Sequence, residues 1–473
     1  MAGDVPSELQ SAAVERLKAA LGERGWSDDP ERLSGKLVES RGRWRGSTPL
    51  LVSPQSVEET AKVVRICAEA GLSITPQGGN TGLVGGQIPQ GEVLLSTERM
   101  TRVREIDLAD DVMIVEAGAI LANVHEAAGR AGRRFPLDLA SSGSATIGGL
   151  VSTNAGGVEV LRYGTMRSLV LGLEAVLPSG EVFAGLKRLR KDNTGYDVKQ
   201  LLIGAEGTLG VVTAAALRLF PALAERAVAI AGVATPAEAV KLLELAKKEA
   251  GDGIEAFELI GALGMALVLD HLPDARAPLA GKSPWYVLIE TASVEMGLAA
   301  PALERLLAAA LEKRLIADAA IAQTEAGAKA FWALRESQSE AQKSQGPVWK
   351  HDISVPVSKV AEFIERAGRA LETAFPGVRI DAFGHVGDGN IHYDVLCPEE
   401  SDPDRHAAQR QAGAHLVHQL AVSLGGSISA EHGLGIMKIA EALAFKDPID
   451  VALQRALRAT IDPKRTFNPR VLF

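Results

Sequence analysis

The hydrophobic and polar positions of the chain follow two patterns, one typical of β-strands and one typical of α-helices. Short apolar runs that predict strands lie at 112–116, 172–180 and 285–290. Apolar residues at helical spacing, in Ala/Leu/Glu-rich stretches, predict helices over 236–247 and 301–313. Another helix is predicted to begin at Ser56, with Glu59 three residues on as in a capping box, and to end at Gly71.

A β-hairpin is predicted over 378–396, where two strand-like runs flank a Gly/Asp/Asn turn. A hairpin can bring His385 and His392 together, whereas seven residues of one strand separate two side chains by more than ~20 Å. His392 and Asp394 lie two apart and share a face. These side chains could therefore bind a metal together. Histidines in a Gly-rich turn are also common as ordinary hydrogen-bonded residues, so spacing alone does not decide between metal binding and a structural role.

A third ligand is suggested downstream, where Glu431 and His432 are consecutive. Glu431 could supply an oxygen, and His432 could stay unbound as an acid or base. Two histidines and one carboxylate with an open position suit zinc and other divalent metals. His385, His392 and Glu431 could therefore hold a divalent metal.

Glycine-rich loops recur between the predicted strands of the first half of the chain. They lie at 76–86, 136–149, 153–157 and 203–210. Such loops expose backbone N–H groups and let main chain approach a phosphate closely. They match neither the Rossmann fingerprint nor the phosphate-binding loop of nucleotide hydrolases. Repeated loops of this kind indicate a long polar ligand such as a dinucleotide.

Composition and charge limit the class of protein. With 473 residues, 47% hydrophobic and 23% charged, the chain is expected to form two or more globular domains. Its net charge of −9 argues against nucleic-acid partners, and no apolar run approaches the ~20 residues of a membrane span. Two cysteines and an N-terminus without secretory features predict a cytoplasmic location. A shift to Ala/Leu/Glu-rich composition places a domain boundary near residue 223.

Five motifs, taken in order, resemble one flavoprotein family. They are Pro76-Gln-Gly-Gly-Asn-Thr-Gly, Ala145-Thr-Ile-Gly-Gly, Thr153-Asn-Ala-Gly-Gly, Arg190-Lys-Asp-Asn-Thr-Gly-Tyr-Asp and Glu206-Gly-Thr-Leu-Gly. The chain resembles the vanillyl-alcohol-oxidase-type FAD-binding flavoproteins, and within them the D-2-hydroxyglutarate and D-lactate dehydrogenase branch. The implied fold class is α+β: a two-part FAD-binding domain of the vanillyl-alcohol-oxidase (PCMH) type with an α+β cap domain on an antiparallel sheet. We expect the FAD-binding domain at 1–223, the cap domain at 224–426 with helices on one side of its sheet, and a C-terminal segment at 427–473 that returns to the FAD domain.

The resemblance implies a noncovalent FAD, because the first loop has Asn80 where some relatives carry a histidine. It implies that the first loop holds the pyrophosphate, that 141–157 surrounds the flavin and that Glu206 to Val212 completes the adenine side. The implied cofactor-binding residues are Pro76, Gln77, Gly78, Gly79, Asn80, Thr81, Gly82, Gly85, Leu137, Ser142, Gly143, Thr146, Ile147, Gly148, Asn154, Ala155, Glu206, Gly207, Val212 and Asn468.

Substrate contacts are predicted around Arg335. Helical spacing places Arg335 and Ser339 on one face, and a guanidinium can fork onto a carboxylate, although pairing with Glu336 or Glu340 is the commoner fate of an isolated arginine. By resemblance, the substrate-binding residues are Arg335, Ser339, Lys350, Asn390 and Asp394. Many hydroxyglutarate-oxidising relatives carry Asn where this chain has Asp394, and a carboxylate there repels a dicarboxylate unless it is protonated or joins the metal shell.

The resemblance also implies a divalent metal, with Zn²⁺ as the favoured ion, at His385, His392 and Glu431. The implied reaction oxidises D-2-hydroxyglutarate to 2-oxoglutarate, with hydride passing from C2 to flavin N5 and His432 as base. D-lactate and D-malate are the alternative substrates, and a catalytically silent flavin- or metal-binding protein is the alternative class. Expected partners are an electron-transfer flavoprotein or another electron acceptor, and a second copy in a homodimer. The other histidines are assigned no role: His125, His271, His351, His406, His415 and His418.

Overall fold

A computed structural model of the protein describes residues 8–398 and 402–472. The chain divides into two compact units. The first comprises Met1–Gly157, Gly164–Pro221 and Glu431–Phe473, and the second comprises Val158–Tyr163 and Ala222–Ala430. The chain therefore leaves the first unit twice and returns to it twice.

The secondary structure alternates strands and helices along the whole chain. The strands are β1 (Trp26–Ser27), β2 (Leu51–Val52), β3 (Ile74–Gln77), β4 (Val93–Ser96), β5 (Val103–Asp107), β6 (Val112–Glu116), β7 (Arg133–Arg134), β8 (Val170–Val176), β9 (Val182–Gly185), β10 (Val211–Arg218), β11 (Phe220–Pro221), β12 (Glu225–Val233), β13 (Ile254–Gly261), β14 (Trp285–Ser293), β15 (Asp318–Ile321), β16 (Val348–Trp349), β17 (Asp352–Ser354), β18 (Arg379–His385) and β19 (Asn390–Leu396).

The helices lie between these strands and after them. They are α1 (Glu8–Leu21), α2 (Pro30–Ser34), α3 (Val57–Ala70), α4 (Leu121–Arg130), α5 (Ile147–Thr153), α6 (Val160–Tyr163), α7 (Met166–Leu169), α8 (Lys199–Leu202), α9 (Pro236–Ala250), α10 (Ala262–His271), α11 (Ala299–Glu312), α12 (Glu325–Glu336), α13 (Gln338–Ala341), α14 (Val360–Ala374), α15 (Pro403–Ser423), α16 (Ile439–Phe445) and α17 (Pro448–Ile461). Among the helices that the structure describes, none is both long and apolar enough to cross a bilayer.

The first unit contains two main sheets. One has the strand order β1-β2-β4-β3, with parallel pairing of β4 to β2 and β3, and the other is antiparallel in the order β5-β6-β10-β8-β9. Helix α3 packs its buried face, including Val63 and Val64, into the same core as Ile74 and Phe467. Each such side chain contributes roughly 1.5–3 kcal/mol of burial free energy. The core therefore contains both β3, which leads into the first glycine-rich loop, and the C-terminal segment.

Helix α3 begins and ends where its sequence signals predicted. Ser56 Oγ accepts a hydrogen bond from the Glu59 N–H at 3.2 Å, and Gly71 ends the helix in the left-handed region at φ +66°. The Glu59 carboxylate accepts from the Gln55 N–H instead of the Ser56 N–H. The cap is therefore stabilised by a variant of the reciprocal capping box.

The second unit is built on a large antiparallel sheet in the order β15-β12-β14-β13-β18-β19-β16, with β17 also paired to β19. Alternate residues of β12 face opposite sides: Ala229 and Ala231 belong to the core with α9, α11, α14 and α15, whereas Val228 and Ile230 belong to the core with α10 and α12. The expectation of helices on one side is therefore wrong. The uninterrupted apolar run of β14 already fits a strand that is buried on both faces.

The predicted hairpin is present as β18 and β19. Phe383 pairs with His392 and His385 pairs with Asn390, so the turn occupies 386–389. Gly389 has φ +86°, and a Cβ there would lie 2.0 Å from the Val355 carbonyl oxygen, so this turn position requires glycine. The pairing fixes which side chains the two strands present on each face.

Candidate active site

The hairpin brings its two histidines together. The His385 and His392 ring centroids are 5.8 Å apart, and His385 is buried. Glu431 follows Ala430, whose N–H donates to the Asp352 carbonyl oxygen. One ligand atom from each of His385, His392 and Glu431 lies within 4.8 Å of the other two. Two imidazoles and a carboxylate at this spacing fit the donor set of a divalent metal.

Glu258 on β13 completes this arrangement, and sequence reasoning missed it. Its Oε1 lies 2.7 Å from His385 Nδ1, and its Oε2 accepts a hydrogen bond from Arg335 Nε at 2.8 Å. A carboxylate on Nδ1 fixes the imidazole orientation and leaves Nε2 to bind a metal. The available signal was an acidic residue flanked by apolar residues of a strand, in Phe257-Glu-Leu-Ile.

Burial and charge act in opposite directions on Glu258. Burial disfavours its charged form, but His385 and Arg335 outweigh that penalty and hold the pKa of the carboxyl at about 2. Glu258 is therefore ionised throughout the physiological range. A permanently charged carboxylate can orient both the histidine and the arginine.

Replacing Glu258 by glutamine is expected to weaken metal binding by about 10–100-fold, because His385 loses the charged partner that orients its ring. Metal titration of the chelator-treated protein measures this change. Glu255 is a matched control, since it is also buried on β13 and pairs with Arg162 at 2.6 Å. Glu255→Gln should keep the wild-type metal affinity, and equal affinities for Glu258→Gln and wild type would refute the role of Glu258.

Arg335 and Ser339 lie on two consecutive helices, because α12 ends at Glu336 and α13 begins at Gln338. Arg335 pairs with Glu258, and its guanidinium also lies over the Phe383 ring, 5.0 Å from the centroid. The alternative of a surface arginine paired with Glu336 or Glu340 does not describe this buried side chain. A guanidinium held on two sides is positioned to bind a planar anion.

Lys350 joins the same group of polar residues. Its Nζ donates to Gln342 Oε1 at 2.7 Å and to Ser339 Oγ at 3.2 Å, and it lies 3.5 Å from Asp394 Oδ2. Burial raises the pKa of Asp394, and Lys350 opposes that rise. The structure thus brings Ser339, Lys350 and Asp394 together.

Asn390 lies at the hairpin, where its side-chain amide donates to Asp352 Oδ1 at 3.0 Å and to the Ile353 carbonyl oxygen at 2.9 Å. These bonds tie β19 to β17. The substrate-binding role assigned to Asn390 stays a prediction, as do the roles of the other site residues.

The glycine-rich loops of the first unit pack against one another. A Cβ on Gly79 would lie 1.8 Å from the Ser144 carbonyl oxygen, and a Cβ on Gly78 would lie 2.1 Å from Thr146 Oγ1. Thr146 Oγ1 is buried and has no hydrogen-bond partner among the described residues. Close loops of small residues with an unsatisfied hydroxyl fit a cofactor that approaches the main chain.

The glycine-rich loops of the first unit are called the flavin cradle below. Several predicted cofactor residues hold these loops in place through contacts within the protein. Asn80 has φ +55°, and its amide donates to the Gly35 and Val38 carbonyl oxygens at 3.0 and 2.9 Å. Asn468 Nδ2 donates to the Glu206 carbonyl oxygen at 2.8 Å. The Glu206 carboxylate accepts from backbone N–H groups at 434 and 435, and burial raises its pKa.

Other predicted cofactor residues lie in the core behind the loops. The N–H groups of Ile147 and Gly148 donate to the carbonyl oxygens of Ala119 and Ala117. Leu137, Ala155 and Val212 are buried. Such residues can shape the cradle by packing, without a polar contact of their own.

Replacing Gly79 by alanine is expected to weaken flavin binding by about ten-fold or more, because the methyl group overlaps the Ser144 carbonyl and forces the loops apart. Flavin absorbance after desalting measures retention of the cofactor. Gly129→Ala in α4 is the control, since a Cβ there has no atom within 4 Å. Full flavin retention by Gly79→Ala would contradict the close approach of these loops.

Comparisons with known proteins agree with this architecture. An "FAD binding domain" family matches residues 48–184, and an "FAD linked oxidases, C-terminal domain" family matches residues 222–472. The fold is shared with alkyldihydroxyacetonephosphate synthase, at a TM-score of 0.76 and 19% identity over 99% of this chain and 86% of that one. It is also shared with p-cresol methylhydroxylase, at a TM-score of 0.75 and 16% identity over 98% and 96%. The predicted fold class is confirmed, and the chain is an FAD-dependent dehydrogenase of the FAD-linked oxidase class.

Closer relatives define the family within that class. A D-2-hydroxyglutarate dehydrogenase of Arabidopsis thaliana is 38% identical over 98% of this chain and 82% of its own length. The Bos taurus enzyme of that name is 39% identical over 98% and 83%, and one from Xanthomonas citri is 36% identical over 91% and 90%. The chain belongs to the D-2-hydroxyglutarate dehydrogenase family.

These relatives also correct the predicted location. The prediction of a cytoplasmic protein is wrong, because the relatives from Arabidopsis thaliana, Bos taurus and Rattus norvegicus are named as mitochondrial proteins. The prediction rested on the low cysteine count and on an N-terminus without secretory features. Both features suit any reducing compartment and do not distinguish one from another.

Proposed function

We propose that this protein oxidises D-2-hydroxyglutarate to 2-oxoglutarate, with noncovalent FAD as the electron acceptor and a divalent metal, Zn²⁺ by preference, at His385, His392 and Glu431. The convergence of these three side chains carries the proposal. In this scheme residues 1–223 and 427–473 bind FAD, and residues 224–426 bind the substrate. The names of the relatives supply the substrate class.

The chain's own residues bind the substrate and move one proton. Arg335 offers its guanidinium to a carboxylate of the substrate, and Lys350 with Ser339 offers further donors. His432, in its neutral form, accepts the hydroxyl proton while the C2–H bond breaks. The substrate thereby loses one proton and one hydride equivalent and becomes a 2-oxo acid.

The two bound groups supply the remaining chemistry. FAD, when bound, takes up the hydride equivalent at N5, and the metal, when bound, lowers the pKa of the substrate hydroxyl. Asn80, whose amide is hydrogen-bonded to backbone carbonyls, supplies no nucleophile for a covalent flavin link. The flavin is therefore expected to be released intact by acid precipitation of the protein.

D-lactate is a second candidate substrate, and D-malate a third, because of Asp394. The Asp394 carboxylate lies 3.5 Å from the Lys350 ammonium. The positive charge of Lys350 is therefore already paired with a carboxylate of the protein. A monocarboxylate does not require a further positive charge at its distal end. D-malate carries its second carboxylate nearer to C2 than hydroxyglutarate does.

Purified holoprotein should reduce a redox dye with D-2-hydroxyglutarate at a higher kcat/KM than with D-lactate or D-malate. Anaerobic substrate should also bleach the yellow flavin absorbance. A clear preference for D-lactate would reverse the ranking of substrates. A flavin that no D-2-hydroxy acid bleaches would instead identify a silent flavin- or metal-binding protein.

We also propose that an electron-transfer flavoprotein reoxidises the reduced flavin and that the protein is a homodimer. No nicotinamide-binding motif occurs in the sequence, which favours a protein or quinone-linked acceptor. Closed twofold dimers are the commonest soluble oligomers. Reoxidation of substrate-reduced protein by purified electron-transfer flavoprotein, and sedimentation analysis, test these two statements.

A further inference from the structure

Two buried carboxyl groups lie directly opposite each other on the hairpin. Asp381 on β18 pairs with Asp394 on β19, and both side chains are buried. Lys350, 3.5 Å from Asp394, is the basic residue paired with this acid. Two adjacent carboxylates in a buried site repel when both are ionised, so one of them is expected to hold a proton.

The contacts of Asp381 indicate where that proton lies. A Cβ on Gly264 of α10 would lie 2.3 Å from Asp381 Oδ1 and 2.1 Å from Gln338 Oε1, so both oxygens face the same small space. Neither oxygen has a hydrogen-bond partner among the residues that the structure describes. Gln338 cannot simply turn its amide, because its Nε2 donates to the Leu334 carbonyl oxygen at 2.9 Å. A hydrogen on the carboxyl of Asp381 satisfies both oxygens at once.

The other oxygen of Asp381 fixes the orientation of Gln342. Gln342 Nε2 donates to Asp381 Oδ2 at 2.7 Å, and Gln342 Oε1 accepts from Lys350 Nζ at 2.7 Å. Gln342 is fully buried, so its amide has no solvent contact to exchange for these bonds. A reversed amide would point its NH₂ group at the ammonium, which also carries only donors.

We propose that Asp381 carries its carboxyl proton and, through Gln342, positions the Lys350 ammonium for the substrate carboxylate. Asp381 and Gln342 are thus positioning residues, and this inference rests on the proposed function of Lys350. The Asp381 carboxyl donates this proton in a hydrogen bond from Oδ1 to Gln338 Oε1. The proton stays on Asp381 during the reaction.

The charges around Asp381 are consistent with this assignment. Burial, with a further contribution from Asp394, raises the pKa of Asp381 to about 7 against the opposing effects of Gln342, Lys350 and Arg335. The group facing it from α10 is the uncharged Gly264, and α13 with the following turn presents Gln338 and Gln342. Because the folded-state pKa is raised, the proton on Asp381 is present at low pH and is lost as pH rises through about 7. Ionised Asp381 still accepts from Gln342, but it loses the hydrogen bond to Gln338 and adds a second negative charge near Lys350, which weakens the attraction of Lys350 for an anionic substrate.

The test compares Asp381→Asn with Asp381→Ala in the holoprotein. Asparagine offers one acceptor and one donor, as a protonated carboxyl does, so its KM for the substrate should stay within about two-fold of wild type. Alanine frees Gln342 to turn, and KM should rise about ten-fold with a smaller change in kcat. Wild-type KM should rise with pH through about 7, and the Asp381→Asn profile should be flat there.

Gln342→Glu is the complementary variant, because a carboxylate at 342 accepts from Lys350 but cannot donate to Asp381. Its KM should move as in Asp381→Ala. An Asp381→Asn variant as impaired as Asp381→Ala would overturn the proposal, because it would show that Asp381 acts as an ionised group.

An infrared measurement tests the proton without relying on turnover. Below about pH 7 the wild-type protein should show the carbonyl stretch of a protonated carboxyl group that is missing from Asp381→Asn. No difference between the two spectra would refute the proton assignment even if every D-2-hydroxy acid were inert. A wild-type band with no turnover would instead refute the proposed function alone.

Discussion

Replacing His432 by alanine is expected to lower the rate of flavin reduction by about 10²–10⁴-fold, because the substrate hydroxyl loses its proton acceptor. The metal ligands and the flavin cradle do not include this side chain, so both groups should remain bound. Anaerobic stopped-flow bleaching of the flavin by D-2-hydroxyglutarate measures the rate. Flavin absorbance and elemental analysis of the same sample measure retention of the two groups.

His415 supplies a matched control for this experiment. It is an exposed histidine on α15 that has no assigned role, and His415→Ala should reduce its flavin at the wild-type rate. A His432→Ala variant that reduces its flavin nearly as fast as wild type would show that another group accepts the proton.

Replacing His392 by alanine is expected to remove the metal and with it nearly all turnover. One imidazole and one carboxylate would remain at the site, and metal sites of this kind require at least three protein ligands. Elemental analysis after dialysis measures occupancy, and dye reduction measures activity. The flavin content should not change, because its predicted residues lie in other loops.

His271→Ala is the control for this variant, since His271 is an exposed residue at the end of α10. It should keep both metal and turnover. A His392→Ala protein that retains stoichiometric metal would exclude His392 as a ligand, and one that loses metal but keeps turnover would exclude a catalytic role for the ion.

Local sequence signals were sufficient where neighbouring residues determine the structure. The Gly/Asp/Asn turn between two strand-like runs predicted the hairpin, and its geometry brings His385 and His392 together. Ser56 and Gly71 predicted the bounds of α3 for the same reason, because caps are satisfied within a few residues. The family resemblance supplied the fold class, which was confirmed by the shared fold of solved structures.

Long-range pairing could not be read from the sequence. Glu258 is 127 positions from His385 and 77 from Arg335, and no local pattern links the three residues. The break between α12 and α13 at Ser337 was missed because Arg335 and Ser339 keep helical spacing across it. Helices on both faces of the large sheet were missed because strand periodicity does not tell which helix covers which face.

Glu258 contacts His385, a proposed metal ligand, with one oxygen and Arg335, a proposed substrate ligand, with the other. Any shift of this carboxylate that improves one contact therefore changes the other, and the two ligands are expected to be thermodynamically linked. Linkage is reciprocal, so a metal that tightens substrate binding by some factor must itself be bound more tightly by that factor when substrate is present. A rise in the concentration of the hydroxy acid would then also raise the affinity of the protein for the metal.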